Sequence, residues 1–468
     1  MKVRMQKIST QSDNLPQNDR TESDSYAGVQ TFMGITENHL MEVQFTKEDL
    51  LERILSPSNM NLAYKRIVSN GGSGGVDHME TEELLAYLKL HKDDLVSSLL
   101  SGHYRPNPVL RVEIPKGDGK KRCLGIPTVV DRLIQQSIAQ VLSPLYERDF
   151  SESSYGFRPR RRAHQALVKS QDYISEGYKY AVDLDLEKFF DTVNHSRLIE
   201  LLSRKIKDGR VISLIHKYLR SGVMEDSAYQ ASLQGTPQGG PLSPLLSNIM
   251  LNELDKELES RGHHFVRYAD DVMIFCRSKR GAHRIQSSLI RFIESVLYLR
   301  VNREKTKVGY VGGMKFLGYS FYIQKGDCRL CVHPDSYRKV KVKLKSLTGR
   351  SNGMGYARRK ASLHEFIRGW VEYFKLADMR QRLLSIDEWL RRRIRMCIWK
   401  SWKRAKTRMK NLLCCGLSEE IAYMCANNSK SYWYISGTLN LQQAMSIDNL
   451  RKSGYPMMMD YYRKLHRK

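Results

Sequence analysis

Asp270 and Asp271 stand side by side in FVRYADDVMIF, residues 265–275, between two apolar runs. An apolar run, a short polar break and a second apolar run read as a β-hairpin, and Asp accepts turn backbone readily. Both carboxylates then sit at the tip of a buried sheet, where adjacent like charges raise one another's proton affinity. A divalent cation relieves that repulsion. Mg²⁺ takes oxygen ligands and commonly uses one or two carboxylates together with substrate phosphates. In AVDLDLEKFFD, Asp183 and Asp185 alternate with apolar residues on a second strand and share one face of it. One of these two, with the Asp270–Asp271 tip, supplies a donor set for two metal ions roughly 3.5–4 Å apart, one activating a 3′-hydroxyl and one stabilising a leaving pyrophosphate. Alone, Y-A-D-D is a polar turn and D-x-D a strand end; together in a basic chain they point to phosphoryl chemistry.

The chain carries 77 Lys and Arg against 50 Asp and Glu, a net charge of +27. An excess of that size points to a polyphosphate partner, nucleic acid ahead of an acidic membrane surface. No apolar run is long enough for a spanning helix, and no signal-type apolar segment lies near the start. Asp13, Asp19, Glu22 and Asp24 are unlike an acid-poor transit peptide. Eight cysteines in 468 residues do not make a disulfide framework. Cys328 and Cys331 form a C-x-x-C without a second ligand pair at finger spacing, so they read as ordinary thiols in a reducing, cytoplasmic compartment.

These residues must be positioned by a mixed scaffold. Residues 1–45 are polar and read as a disordered or flexible tail. Residues 46–68 have helical periodicity with Thr46 as N-cap, and NGGSGGVD, 70–77, reads as a flexible loop without the Lys of a Walker motif. Helices are expected over 80–105, 129–150, from about 191, over 241–260 and over 281–299. Strands are expected over 110–115, 179–186, 264–276 and 307–323. Beyond about 335 the pattern is helical and basic. The reading is an α+β centre followed by an all-helical module.

The ordered series VDLDLEKFFDTVNH, GTPQGGPLSPLLSNIMLNELD, FVRYADD, VNREKTK and KFLGYSF resembles the palm motifs of reverse transcriptases encoded within bacterial group II introns. RVEIPKGDGKKRCLGIPTVVDRLIQQSIAQVL and SYGFRPRRRAHQAL resemble their fingers, and IRGWVEYFKLADM with EWLRRRIRMCIWKSWKRAKTRMKNL their maturase region. The resemblance covers about 46–465, and its detail is similar to the class C subgroup. It implies a right-hand polymerase: fingers and N-terminal extension 46–178, palm with an antiparallel sheet 179–330, thumb/maturase 331–412 and a helical nucleic-acid-binding region 413–468. It implies no endonuclease domain, so the DNA primer would come from elsewhere.

The resemblance selects Asp185 over Asp183 as metal ligand and catalytic residue beside Asp270 and Asp271, and adds the backbone carbonyl of Leu186. It implies that Lys116 and Arg122 clasp the triphosphate, that Gln238 lies beside the nucleotide, and that Lys305 reaches its β/γ-phosphates. Phe190 falls at the steric-gate position, where a ring under the sugar excludes a ribose 2′-OH. Gly239 and Gly240 fall where backbone approaches template and primer, and Phe316, Leu317, Gly318 and Tyr319 match the primer grip. Two Mg²⁺ and dNTPs are the implied cofactor and substrates. The implied partners are the intron RNA, an RNA template with DNA primer, and target DNA, with no membrane.

In 391–410, ten Lys or Arg stand without an acid. Ile394, Ile398, Trp399 and Trp402 recur at helical spacing, giving an apolar stripe beside a cationic one. Arg391, Arg392, Arg393, Arg395, Lys400, Lys403 and Arg404 are the expected RNA-binding residues; Trp402 reads as core ahead of base stacking. The competing readings are a splicing-only maturase with a vestigial polymerase, and a domesticated defence-type reverse transcriptase. The intact Asp185, Asp270, Asp271, Gln238 and Arg122 stand against the first, and the maturase-like region against the second.

Overall fold

The computed structural model describes residues 49–115, 121–225 and 228–466. The 1–45 tail, the Thr46 cap and Lys116 lie outside the described residues, and Arg122 is described by its backbone alone.

The expected first helix is two, α1 (Leu50–Ile54) and α2 (Pro57–Asn70). Ser56 is held at ψ 141°, as a residue before proline prefers, and Pro57 opens α2 where its missing N–H costs nothing. The following glycine loop is docked rather than slack. Arg132 Nη2 donates to the Ser73 carbonyl at 2.8 Å, and Gly74 and Gly75 are buried.

After α3 (Leu84–Leu100) come the paired strands β1 (Val109–Pro115) and β2 (Lys121–Ile126), then α4 (Val129–Glu147). Thr128 caps α4 by accepting from Asp131 N at 3.2 Å. Next are α5 (Ala163–Ser175), β3 (Tyr180–Leu184), α6 (Phe189–Thr192), α7 (His195–Lys205), α8 (Gly209–Leu219), β4 (Val223–Glu225) and β5 (Ala228–Gln230). The chain continues through α9 (Ser243–Ser260), the hairpin β6 (His264–Tyr268) and β7 (Asp271–Cys276), and α10 (Lys279–Val296). β8 (Lys307–Tyr310), β9 (Lys315–Phe316), β10 (Tyr319–Gln324) and β11 (Asp327–Val332) end the strand-bearing part. Helices follow: α11 (Pro334–Leu347), α12 (Tyr356–Tyr373), α13 (Arg380–Ser401), α14 (Ala405–Cys414), α15 (Glu419–Ala426), α16 (Tyr432–Ile435), α17 (Leu439–Ala444), α18 (Ile447–Lys452) and α19 (Met458–Leu465).

The central sheet has the order β6-β7-β3-β8, with antiparallel neighbours. It is a wall between two cores. Val182, Leu184, Val272 and Ile274 point into one, shared with α1–α4 and α7–α9. Ala181, Val266, Met273 and Phe275 point into the other, shared with α5, β10 and the helices from α11 onward. A sheet buried on both faces needs apolar residues at every position, which is why these strands read as continuous runs.

Candidate active site

Tyr268 pairs with Asp271 across the β6–β7 turn, leaving Ala269 and Asp270 as its two central residues. Asp270 therefore caps the hairpin and Asp271 begins β7. In the β3–β7 register, Asp183 faces Met273 and Leu184 faces Val272. One step further along, Asp185 and Asp271 come abreast at the edge of the sheet. By alternation Asp183, Asp185 and Asp271 share a face.

Backbone bonds fix this edge. Asp185 N donates to Thr306 Oγ1 at 3.2 Å, and Asn302 N donates to the Asp185 carbonyl at 2.9 Å. Thr306 and Asn302 were not singled out from NREKT, where Lys305 drew the attention. Leu186 is buried and bridges Val301. The bonds of that bridge run from Glu187 N to the Arg300 carbonyl and from Asn302 N to the Asp185 carbonyl. They flank Leu186, so its own carbonyl stands outside this pairing.

The electrostatics ask for a cation. Burial, then the charge of Asp185, pushes the Asp183 carboxyl up to about 6. Asp271 is open to solvent yet set among crowded protein, and that crowding, followed by the charges of Asp270, Asp183 and Asp185, raises its proton affinity well above the carboxylate range. Lys305 Nζ lies 3.2 Å from Asp185 Oδ2. Among the described residues no three His, Cys, Asp or Glu side chains are drawn into a closed metal cluster. The carboxylates share a face and a field. An all-oxygen set of this kind fits Mg²⁺, which completes its shell with water and phosphate.

Phe190 is buried in α6, its ring edge-on to Phe189 at 5.2 Å. Its carbonyl accepts from Thr236 N at 2.6 Å, and Gly235 N donates to the Val193 carbonyl at 2.8 Å. The loop carrying Gln238 is thus tied to the gate turn at one end. At the other, Gly125 N in β2 donates to the Gln238 carbonyl at 2.7 Å, and Ser243 Oγ donates to the Pro237 carbonyl at 2.6 Å. Gly239 has φ +125°, and a Cβ there would meet the Gly125 carbonyl at 2.7 Å; one on Gly240 would collide with the Gln135 side chain. Both glycines are required by packing inside the protein itself. Gln238 is left half-exposed between β2 and Phe190. Arg122, by its backbone, pairs with Ile114 on the same β1–β2 hairpin.

Leu317 and Gly318 form the turn between β9 and β10 with φ +48° and +79°, the signature of a primed hairpin turn. Phe316 and Tyr319 are core residues. Tyr373 Oη donates to the Leu317 carbonyl at 2.9 Å, and Ser336 Oγ donates to the Gly318 carbonyl at 2.9 Å. The first helices after the strands thus hold this turn.

The basic run separates into two groups. Arg392 Nη2 donates to the Trp433 carbonyl at 3.1 Å, with its guanidinium 4.1 Å from that ring's centre. Arg393 bonds Thr348 and Lys345, and Lys400 Nζ donates to the Arg350 carbonyl at 2.7 Å. Arg395 departs from the expected cationic face: it is 5% exposed, with Nε donating to the Ser436 carbonyl at 3.1 Å. Arg391 is half-buried, while Lys403 and Arg404 face solvent. Trp399 is fully buried and Trp402 half-buried, edge-on to it. No described helix is long and apolar enough to cross a membrane.

Residues 114–321 match the reverse transcriptase (RNA-dependent DNA polymerase) family model, and residues 337–416 match that of the group II intron maturase-specific domain. The chain is 36% identical over 311 residues to Protein YkfC of Escherichia coli, covering 58% of this chain and 82% of that protein. It is 31% identical over 367 residues to Group II intron-encoded protein LtrA of Lactococcus lactis subsp. cremoris, covering 64% of this chain and 60% of that protein. It is 28% identical over 398 residues to the Putative COX1/OXI3 intron 2 protein of Saccharomyces cerevisiae, covering 68% of this chain and 46% of that one. With these matches lying over the motifs that build the acidic edge and the helices behind it, the chain belongs to the group II intron-encoded proteins, a reverse transcriptase domain followed by a maturase-specific domain.

Proposed function

We propose that this chain extends a DNA primer on an RNA template, with Mg²⁺ held by Asp185, Asp270, Asp271 and the Leu186 carbonyl, and that it binds its own intron RNA to assist splicing and retrohoming. The observation that carries the reading is the alignment of Asp185 with the Asp270–Asp271 tip on one sheet edge, next to the loop suspended between Phe190 and β2. Two bound Mg²⁺ ions would activate the primer 3′-hydroxyl and stabilise the departing pyrophosphate. The protein's own part is placement. Gln238 lies along the incoming dNTP, and the Phe190 ring closes the space a ribose 2′-OH would need. Lys305 exchanges its contact with Asp185 for the β/γ-phosphates, while Lys116 and Arg122 clasp the triphosphate from the fingers. The 316–319 turn, with Gly239 and Gly240, supports primer and template.

We divide the chain into a tail 1–45, fingers with extension 46–178, palm 179–330, thumb/maturase 331–412 and a C-terminal region 413–468, acting in the cytoplasm on intron RNA and target DNA. Of the basic helix, Lys403, Arg404 and Arg391 are best placed to meet RNA phosphates, while Arg392, Arg393, Arg395 and Lys400 order the surface that presents them.

The test is dNTP incorporation on an RNA template with a DNA primer, with Mg²⁺ or with EDTA, beside Asp270→Ala. Extension that needs Mg²⁺ and disappears in the variant supports the reading. A folded, RNA-binding wild type that extends nothing would favour the splicing-only maturase.

A further inference from the structure

Residues from four of the sequence motifs meet at one buried point behind the catalytic hairpin. Arg267, two residues before Ala269, is completely buried, as is Asp255 of α9. Their fork is bidentate, with Arg267 Nε 2.7 Å from Asp255 Oδ1 and Nη2 2.5 Å from Oδ2. The remaining arm, Nη1, donates to Asn248 Oδ1 at 2.9 Å and to the Ala269 carbonyl at 3.1 Å. Asn248 Nδ2 in turn donates to the Gly156 carbonyl at 2.9 Å. Gly156 lies against Ala269 so closely that any Cβ there would strike the Ala269 nitrogen. Arg267 also bonds through its backbone, its N–H to the Ser153 carbonyl at 2.9 Å and its carbonyl from Tyr155 N at 2.8 Å.

The segment held this way is strained. Ala269 is a non-glycine at φ +56°, at the first central position of a two-residue turn, where glycine is the usual occupant. Such a conformation persists when its surroundings over-determine it, and it clusters at functional sites. Stability alone is a poor reason for the ion pair, since apolar residues of similar volume commonly replace a buried pair without loss. A guanidinium fork fixes three directions at once, and a lysine cannot copy it.

We propose that Arg267, fixed by Asp255 and Asn248, is the positioning residue that sets the Asp270–Asp271 hairpin in its metal-binding geometry. The proposal rests on the polymerase reading and extends it to residues that touch neither metal nor nucleotide. Arg267 acts through the Ala269 carbonyl, one peptide from Asp270. A shift of about 1 Å at a reacting group costs on the order of a hundredfold in rate, so a hold at this point matters.

The experiment compares the full chain with three variants: Arg267→Met/Asp255→Leu, which removes the pair and leaves no unpaired charge; Arg267→Lys, which keeps the charge and loses the fork; and Asn248→Ala, which leaves the pair intact. Mn²⁺ binding is read by water-proton relaxation, alongside single-turnover dNTP incorporation, dNTP KM, intron-RNA affinity and thermal unfolding. Each folded variant is expected to lose about tenfold or more in Mn²⁺ affinity and in incorporation rate, with KM and RNA affinity within about twofold of wild type. Failure of Arg267→Lys to rescue separates geometry from charge neutralisation. Asn248→Ala keeps the test decisive if the double replacement does not fold. Wild-type Mn²⁺ affinity and rate in any folded variant overturn the proposal. If the wild type extends no primer, the polymerase reading fails and the Mn²⁺ measurement alone decides this one; a wild type that binds no Mn²⁺ overturns both.

Discussion

At the edge of the central sheet, Asp183, Asp185, Asp270 and Asp271 press their charges on one another, and Lys305 on its exposed stem stands against Asp185. Along α13 the opposite holds. Arg392, Arg393, Arg395 and Lys400, four of the cations expected to meet RNA, bind carbonyls or hydroxyls of the loops at 345–350 and 433–436. The acidic edge keeps its charge uncompensated for an external cation. Much of the basic run is compensated by the chain's own backbone. A charge run therefore locates a surface well and a contact poorly, whereas like charges forced together on rigid strands mark a site.

The largest effect should come from removing charge at the acidic edge. Asp271→Ala is expected to lower incorporation about a thousandfold, since metal-held charge stabilisation is worth several kcal/mol, with the protein still folded and binding RNA. Retained activity would remove Asp271 from the metal seat. Next is Lys305→Ala, which should raise the KM for dNTP about tenfold, the value of one charge-assisted contact of about 1.5 kcal/mol, with a smaller effect on the rate at saturation. An unchanged KM would leave Lys305 as a partner of Asp185 alone. At Phe190, substitution by Val should lower the ratio of kcat/KM for dNTP over rNTP by about tenfold, as expected where one steric contact discriminates. Equal discrimination would mean that the ring serves the core alone.

On the basic side, Lys403→Ala with Arg404→Ala should weaken intron-RNA binding at all sequences and lower the salt slope by about 1 per residue. Arg395→Met should leave the slope unchanged and alter thermal stability instead; a changed slope would return Arg395 to the RNA surface. The smallest effect is in pH. Asp387, buried, accepts from Met458 N and Met459 N at 2.9 and 2.8 Å, yet burial pushes its carboxyl from 3.8 to about 6. A folded pKa above the unfolded one contributes stability that is full below the lower value and lost as pH rises through the higher. Wild type should therefore lose thermal stability relative to Asp387→Asn between about pH 4 and 6. Parallel melting curves across that range would show that Asp387 stays ionised.

The catalytic hairpin was readable because two buried strands and a polar pair between them leave little else to form, and α4 and α9 because long periodic segments carry caps or turns before them. Three things were not. The β4–β5 hairpin has three residues per strand and an exposed β5, too short and open to show alternation. The 70–77 glycines suggest slack, but a side chain about sixty positions away, Arg132, ties the loop down. Arg267, Asp255 and Asn248 stand in plain view inside quoted motifs, and nothing local states that they converge, because their bonds cross 12 and 19 positions and close only in the folded core.

The most direct test of the central claim is a single-turnover measurement of dNTP addition to a DNA primer on an RNA template by the wild type and by Asp185→Asn, at saturating Mg²⁺. The substitution keeps size and removes one charge from the shared edge. The account predicts Mg²⁺-dependent extension by the wild type and none above background by the variant, with intron-RNA binding equal in both. Extension by Asp185→Asn at the wild-type rate would contradict it.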